Sequence, residues 1–94
     1  MAVKVGCIVK DDRYSKYERI QFIGGVNPDG SRWKLGLQDA INAIERGTYG
    51  GFYVERSPGS RVKVVVAIRE GRKYLRTEAD GDEPNNLLSL PICP

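Results

Sequence analysis

The 94-residue chain has two cysteines, 12 acidic side chains and no histidine, and those counts decide most of the chemistry open to it. Nucleophilic catalysis needs a base beside the nucleophile, and the commonest base is missing, so Ser-His-Asp and Cys-His sites are excluded. Cys7 and Cys93 stand at opposite ends of the chain, and neither belongs to a paired metal or redox motif. They read as two reduced thiols, with Cys7 a buried structural thiol inside a strand. Zinc would need carboxylates beside those two sulfurs, an unusual ligand set, and no metal or cofactor is expected.

The acids of EADGDE, namely Glu78, Asp80, Asp82 and Glu83, have the residue type for carboxylate-based hydrolysis, as of a glycoside. Their alternation also brings a calcium loop to mind. That match fails, because position 83 is Glu where the loop wants Gly and position 89 is Ser where it wants a bidentate Glu. A solvated acidic turn accounts for the segment. GGVNPDG, likewise, has the wrong glycine spacing for a phosphate loop and no GK[ST] after it.

What remains is surface. Trp33, Tyr49, Tyr53 and Tyr74, with Arg13, Lys16, Arg32, Lys34, Arg56, Arg69, Arg72 and Arg76, have the composition of a nucleic-acid face, where cations hold phosphates and rings stack on bases. No RNP, helix-turn-helix or KH pattern accompanies them. The net charge of +3 is unevenly spread: residues 1–76 carry all 15 Lys and Arg against 8 acids, while residues 77–94 carry 4 acids and no base. A basic body of this kind suits an anionic partner, but an acidic tail folded back on it reduces the field.

The elements that position these residues follow from periodicity and turn chemistry. VKVGCIVK at 3–10 reads as one strand with Val3, Val5, Cys7 and Val9 on one face, and RIQFIGGV as a second with Ile20 and Phe22 together. Asn27, Pro28, Asp29 and Gly30 fit a type I turn, so FIGGV and SRWKL pair as a hairpin. Gly24 and Gly25 inside the incoming arm mark a bulge or a group packed close to the backbone. If Trp33 is buried the hairpin is structural; if it is exposed beside the glycines it is the best candidate site.

LQDAINAIER at 37–46 is the clear helix, with Leu37, Ala40, Ile41 and Ile44 on one stripe, Asp39 in its first turn, Arg46 in its last and Gly47 as a left-handed cap; Gly36 is a weak N-cap. GFYVER, RVKVVVAIR and RKYLRT then form three antiparallel strands across SPGS and EGR. Val62, Val64, Val66 and Ile68 share the core face with Leu75. A two-residue turn at Glu70 and Gly71 sets Lys63 opposite Glu78 and Arg61 opposite Asp80; one at Gly71 and Arg72 sets Lys63 opposite Asp80. Leu87, Leu88, Leu90 and Ile92 read as an extended arm docked over the core, with Asn85 and Asn86 turning the chain and bonding backbone, or else as an exposed patch for strand addition.

ERIQFIGGVNPDGSRW, AINAIERG, FYV, KYLRTEADG and NNLLSLPICP, in this order and spacing, resemble a family of small, mainly bacterial and archaeal proteins catalogued as domain of unknown function 3892. The resemblance runs from Tyr17 to Pro94. It implies a compact α+β domain, usually a stand-alone protein, with no activity or catalytic residue to carry over. Similar sequences tend to show Ser or Thr where this chain has Gly36, and GTYGGFYV has one more Gly than usual.

The expectation is therefore a single α+β domain over 1–94, an antiparallel sheet of about five to six strands with one helix across one face. With no signal-peptide or membrane-span pattern at its start, it is placed in the cytoplasm. The expected function is a non-enzymatic binding module for a protein partner or a second copy, with nucleic-acid binding the alternative and a small carboxylate hydrolase behind both. Asn27, Asp29, Arg32 and Trp33 on the hairpin, with Tyr74 and Arg76 on the outer sheet face, are the candidate binding residues.

Overall fold

A computed structural model describes residues 2–14, 18–79 and 85–94. Seven strands, β1 (Val3–Lys4), β2 (Cys7–Lys10), β3 (Ile20–Val26), β4 (Arg32–Gly36), β5 (Phe52–Ser57), β6 (Ser60–Arg69) and β7 (Arg72–Thr77), combine with the helix α1 (Leu37–Arg46) and a single-turn helix α2 (Asn85–Leu88). The α+β class holds, but the expected single antiparallel sheet divides. One sheet has the order β1-β5-β6-β7, with β1 parallel to β5, and the other is the antiparallel β2-β3-β4.

The division lies at Val5 and Gly6, inside the run expected to be one strand. The Val5 amide donates to the Tyr53 carbonyl in the first sheet, and the Gly6 amide donates to the Gly24 carbonyl in the second. The chain thereby changes partners in one residue, and its alternation breaks: Val5 and Ile8 are both buried, while Cys7 faces the other way. A second break falls in β3. Val9 pairs with Phe22 but Lys10 pairs with Ile20, so Gln21 is an extra residue on the longer arm, a bulge. Ile20 and Ile23 enter the core, and Phe22, expected beside Ile20, is 40% exposed.

The helix forms where its stripe requires, burying Ala40, Ile41 and Ala43. Gly47 closes it in the left-handed region at φ 73°, its amide reaching the carbonyls of Ala43 and Ile44, and Gly36 makes no side-chain cap. Against the helix stand Ile8, Ile20, Ile23, Phe52, Val54, Val64, Leu75 and Leu87 in one core. β6 and β7 meet through a turn at Glu70 and Gly71, with Val66 opposite Leu75 and Val64 opposite Thr77, the first of the two registers considered. The Glu78 amide accordingly donates to the Lys63 carbonyl. Asp80, expected opposite Arg61, lies outside the described residues, as do Lys16, Tyr17, Asp82 and Glu83. Val64 is fully buried, but Ile68, assigned to the same core face, is 67% exposed at the turn end of the hairpin, where Arg69 to Lys73 are exposed as well.

The terminal segment docks, but Leu87 and Leu88 do so from the helical turn α2 where an extended arm was expected, and Ile92 stays exposed. Leu87 is fully buried, Leu88 and Leu90 pack against the core, and Asn86 donates from Nδ2 to Thr77 Oγ1 at 2.7 Å. Beyond it the chain runs parallel to β2: the Ile8 amide donates to the Pro91 carbonyl and the Cys93 amide to the Ile8 carbonyl. This return brings Cys93 beside Cys7, and the two form a disulfide across 86 positions, which corrects the expectation of two reduced thiols.

Candidate functional site

The β3–β4 hairpin sorts its side chains onto two faces. Residues directly opposite in an antiparallel ladder share a face, and the pairs are Phe22 with Gly36, Ile23 with Leu35, Gly24 with Lys34, Gly25 with Trp33, and Val26 with Arg32. Ile23, Gly25, Trp33 and Leu35 face inward. Phe22, Gly24, Val26, Arg32 and Lys34 face outward, joined by Cys7, which stands opposite Gly24 from β2.

The glycine doublet serves both faces. A Cβ on Gly24 would lie 2.9 Å from Cys93 Sγ and 3.1 Å from Cys7 Sγ, so glycine is what lets the cystine lie flat on the outer face. A Cβ on Gly25 would lie 2.7 Å from the Lys4 carbonyl oxygen and 2.9 Å from Trp33 Nε1, so glycine is what lets the indole close on the inner face. The groups that come close to this backbone are the protein's own.

Trp33 is half-buried, its ring 5.6 Å from that of Phe52. Its Nε1 is buried and has no hydrogen-bond partner among the described residues. The turn of the hairpin is held by its own residues. The Gly30 amide donates to the Asn27 carbonyl, and Gly30 takes φ 89°, the left-handed residue that follows a type I turn in a three-residue hairpin loop. Asn27 Nδ2 donates to Ser31 Oγ, and the Ser31 amide and hydroxyl both donate to Asp29 Oδ1, at 2.9 and 2.6 Å. The Ser31 hydroxyl bond, then its amide bond, hold the Asp29 carboxyl below the usual carboxylate range.

The other two candidates stand apart from these four. Tyr74 lies on the outer side of β7, opposite Ala67, yet is only 4% exposed, so the expected open ring is covered. Arg76, opposite Val65, donates from Nη1 to the Thr77 carbonyl at 3.0 Å and is half-buried. Of the six, Arg32 and Trp33 border one cleft, Asn27 meets Trp33 at a smaller apolar pocket of ≈ 160 Å³ under Tyr49, and Asp29 stays within its turn.

That cleft, of ≈ 650 Å³, lies between the outer face of the hairpin and the terminal arm. Its rim carries Lys4, Arg32 and Lys34, its floor includes Gly25 and the cystine, and Pro91, Ile92 and Pro94 form the arm side; among the described residues no acidic side chain lines it. Lys4 shares its charge with Glu55 at 3.8 Å, and Lys34 Nζ sits 5.4 Å from the centre of the Phe22 ring, whereas Arg32 makes no ion pair among the described residues. Val26 and Ile92 add exposed apolar surface, at 63% and 55%. Lys4, Val26 and the cystine were not among the expected site residues, and Lys34 was expected only within the broader basic set of a nucleic-acid face. The alternation of the hairpin was enough to find Lys34 and Val26 beside Arg32, but nothing local placed Cys93.

Among the described residues no three Cys, Asp or Glu side chains gather in a way that could hold a metal ion, and no helix is long and apolar enough to cross a membrane. The chain matches no curated protein and no solved structure. Residues 4–91 match the model of a family described as a protein of unknown function, DUF3892, and the chain belongs to that family.

Proposed function

We propose that the protein is a small non-enzymatic binding module that takes an acidic, extended segment of a protein partner in the cleft between β3–β4 and the terminal arm. The observation that carries this reading is the lining itself: three cations and exposed apolar surface, with no acidic side chain among the described residues to oppose an anionic guest. Carboxylates of the guest meet Arg32 and Lys34, and its apolar side chains cover Val26 and Ile92. Arg32 and Trp33 are the expected residues that this site retains.

A protein segment is preferred to a nucleic acid because three of the four rings expected for base stacking are in use, while Tyr49, 57% exposed, stands at the smaller pocket and not in this cleft. Trp33 packs on Phe52, Tyr74 is covered, and the Arg61 guanidinium lies 4.5 Å from the centre of the Tyr53 ring. The phosphate-holding half of such a site is present without its stacking half. A cytoplasmic setting, the one expected for this chain, would make the cystine a transient redox element instead of a permanent staple.

Trp33 is the sole tryptophan and borders the cleft, so its fluorescence reports occupancy. Titration with an acidic peptide, a composition-matched neutral peptide and a single-stranded oligonucleotide across a salt series separates the readings. The acidic peptide is expected to bind, and Arg32→Gln with Lys34→Gln to abolish it. An oligonucleotide that binds more tightly, with a steep salt slope, replaces the reading with the nucleic-acid one; binding by none of the three ends it. Concentration-dependent sedimentation without peptide would identify a second copy as the occupant.

A further inference from the structure

The cystine lies in this cleft, and both its sulfurs belong to half-buried residues on the cleft wall. A structural staple in a small domain is normally packed away from reagents, whereas this one is laid over a glycine on the outer face of a sheet, with Arg32 and Lys34 on the same face and Lys4 on the rim. Cationic surroundings do two things for thiol–disulfide exchange. They concentrate an anionic thiol, and they stabilise the thiolate that leaves.

We propose that Cys7–Cys93 is an exchange site, and that the cleft presents it to a small thiol carrying net negative charge. The incoming thiolate attacks Cys93 Sγ in line with the disulfide. A new sulfur–sulfur bond joins the thiol to Cys93, the Cys7–Cys93 bond breaks, and its electron pair leaves on Cys7 as a thiolate beside Gly24 and Lys34. Attack at Cys93 disturbs only the terminal arm, which two backbone hydrogen bonds hold to β2, whereas Cys7 lies within the β2–β3 ladder. A second thiolate then attacks the mixed disulfide, giving the oxidised small thiol and a Cys93 thiolate. Both protein thiolates take protons from water, and two electrons have passed from two thiols to one protein disulfide. The reverse sequence, from an anionic small disulfide, re-forms the cystine.

The test uses the whole oxidised chain, with reduced glutathione as the anionic probe and cysteamine as the cationic one, at equal thiolate concentration and with acid quenching. Peptide mapping by mass spectrometry is expected to place the first adduct on Cys93. The rate with glutathione is expected to exceed that with cysteamine by about tenfold at low salt, and high salt or Arg32→Gln with Lys34→Gln to bring the two together. Equal rates at low salt, a preference unchanged in the double variant, or no reaction while the fold is intact overturns the proposal. Because peptide binding is measured on the oxidised chain without any thiol, the partner reading and the exchange site can each fail alone.

Discussion

Gly25 stands directly opposite Trp33 across the β3–β4 ladder, and the indole nitrogen occupies the space that a side chain at position 25 would need. On its other side the same space is closed by the Lys4 carbonyl oxygen, which is backbone and cannot rotate away. Gly25→Ala must therefore shift either the indole or the junction where the chain changes sheets. The expected loss is about 1–3 kcal/mol, the usual cost of overpacking. Gly36→Ala is the control, since a Cβ there would meet nothing nearer than the Phe22 ring at 3.8 Å. Urea denaturation followed by Trp33 fluorescence checks the pair, and equal midpoints for the two variants would show that the contact carries no weight.

Removal of the disulfide should be felt across the whole domain, because it closes nearly the full length of the chain: 86 positions separate Cys7 from Cys93. In the chain-entropy account a loop of that size contributes roughly 4.5 kcal/mol by restricting the unfolded ensemble. Reduction, or Cys93→Ser, is expected to lower the unfolding free energy by about that amount. The fold should survive it, because Leu87 remains buried and Asn86 keeps its bond to Thr77. Hydrogen exchange supplies a local check: the Cys93 amide, bonded to the Ile8 carbonyl, should lose protection before the amides of β3 do.

Local signals carried the sequence reading wherever the structure obeys local rules. The helix keeps the predicted bounds because its stripe, its acidic first turn and Gly47 agree. The 27–30 turn follows from residues that favour particular backbone angles, whereas at β6–β7 Gly71 fits either of two turns, and the sequence left both registers open until the structure placed the turn at Glu70 and Gly71. What failed was parity, lost at two single-residue events, the change of sheet at Gly6 and the bulge at Gln21, each of which turns the alternation over without altering composition. The cystine failed differently: it depends on a strand return from the other end of the chain, which no window of sequence contains. The cleft inherits both difficulties, since one wall is set by the parity of β3 and β4 and the other by that return.

Asp11 and Arg13 make an exposed pair whose pH signature can be read directly. The Arg13 guanidinium, bonding through Nε and Nη2, and then the Arg13 amide hold the Asp11 carboxyl down to about 2. A carboxyl depressed by folding contributes stability that is fully present above its unfolded value and is lost as pH falls through the folded value. The window here runs from just under pH 4 down to about 2, below the range where ordinary surface carboxyls protonate. NMR titration of the Asp11 side-chain carbon should show that low midpoint, and Arg13→Gln should raise it towards the ordinary value. A midpoint unchanged by the substitution would assign the depression to some other group.

The β6–β7 turn offers a gain instead of a loss. Glu70 takes φ 53° and Gly71 φ 77°, so both central residues of this two-residue connection sit in the left-handed region that a type I′ turn requires. Gly71 does so freely. Glu70 pays the steric cost of a Cβ near the following carbonyl, and it is exposed, so nothing in the core compensates for that cost. Asparagine tolerates the same angles, and Asn-Gly is the preferred pair for this turn. Glu70→Asn should therefore stabilise the domain by about 0.5–1 kcal/mol, which for a chain of this size is a rise in Tm of roughly 2–8 °C. It also removes an acid from a turn flanked by Arg69 and Arg72, and high salt should leave the gain intact if backbone geometry is its source. A gain that disappears with salt would place the effect in charge, and no gain at all would mean that the turn relaxes out of the left-handed region without cost.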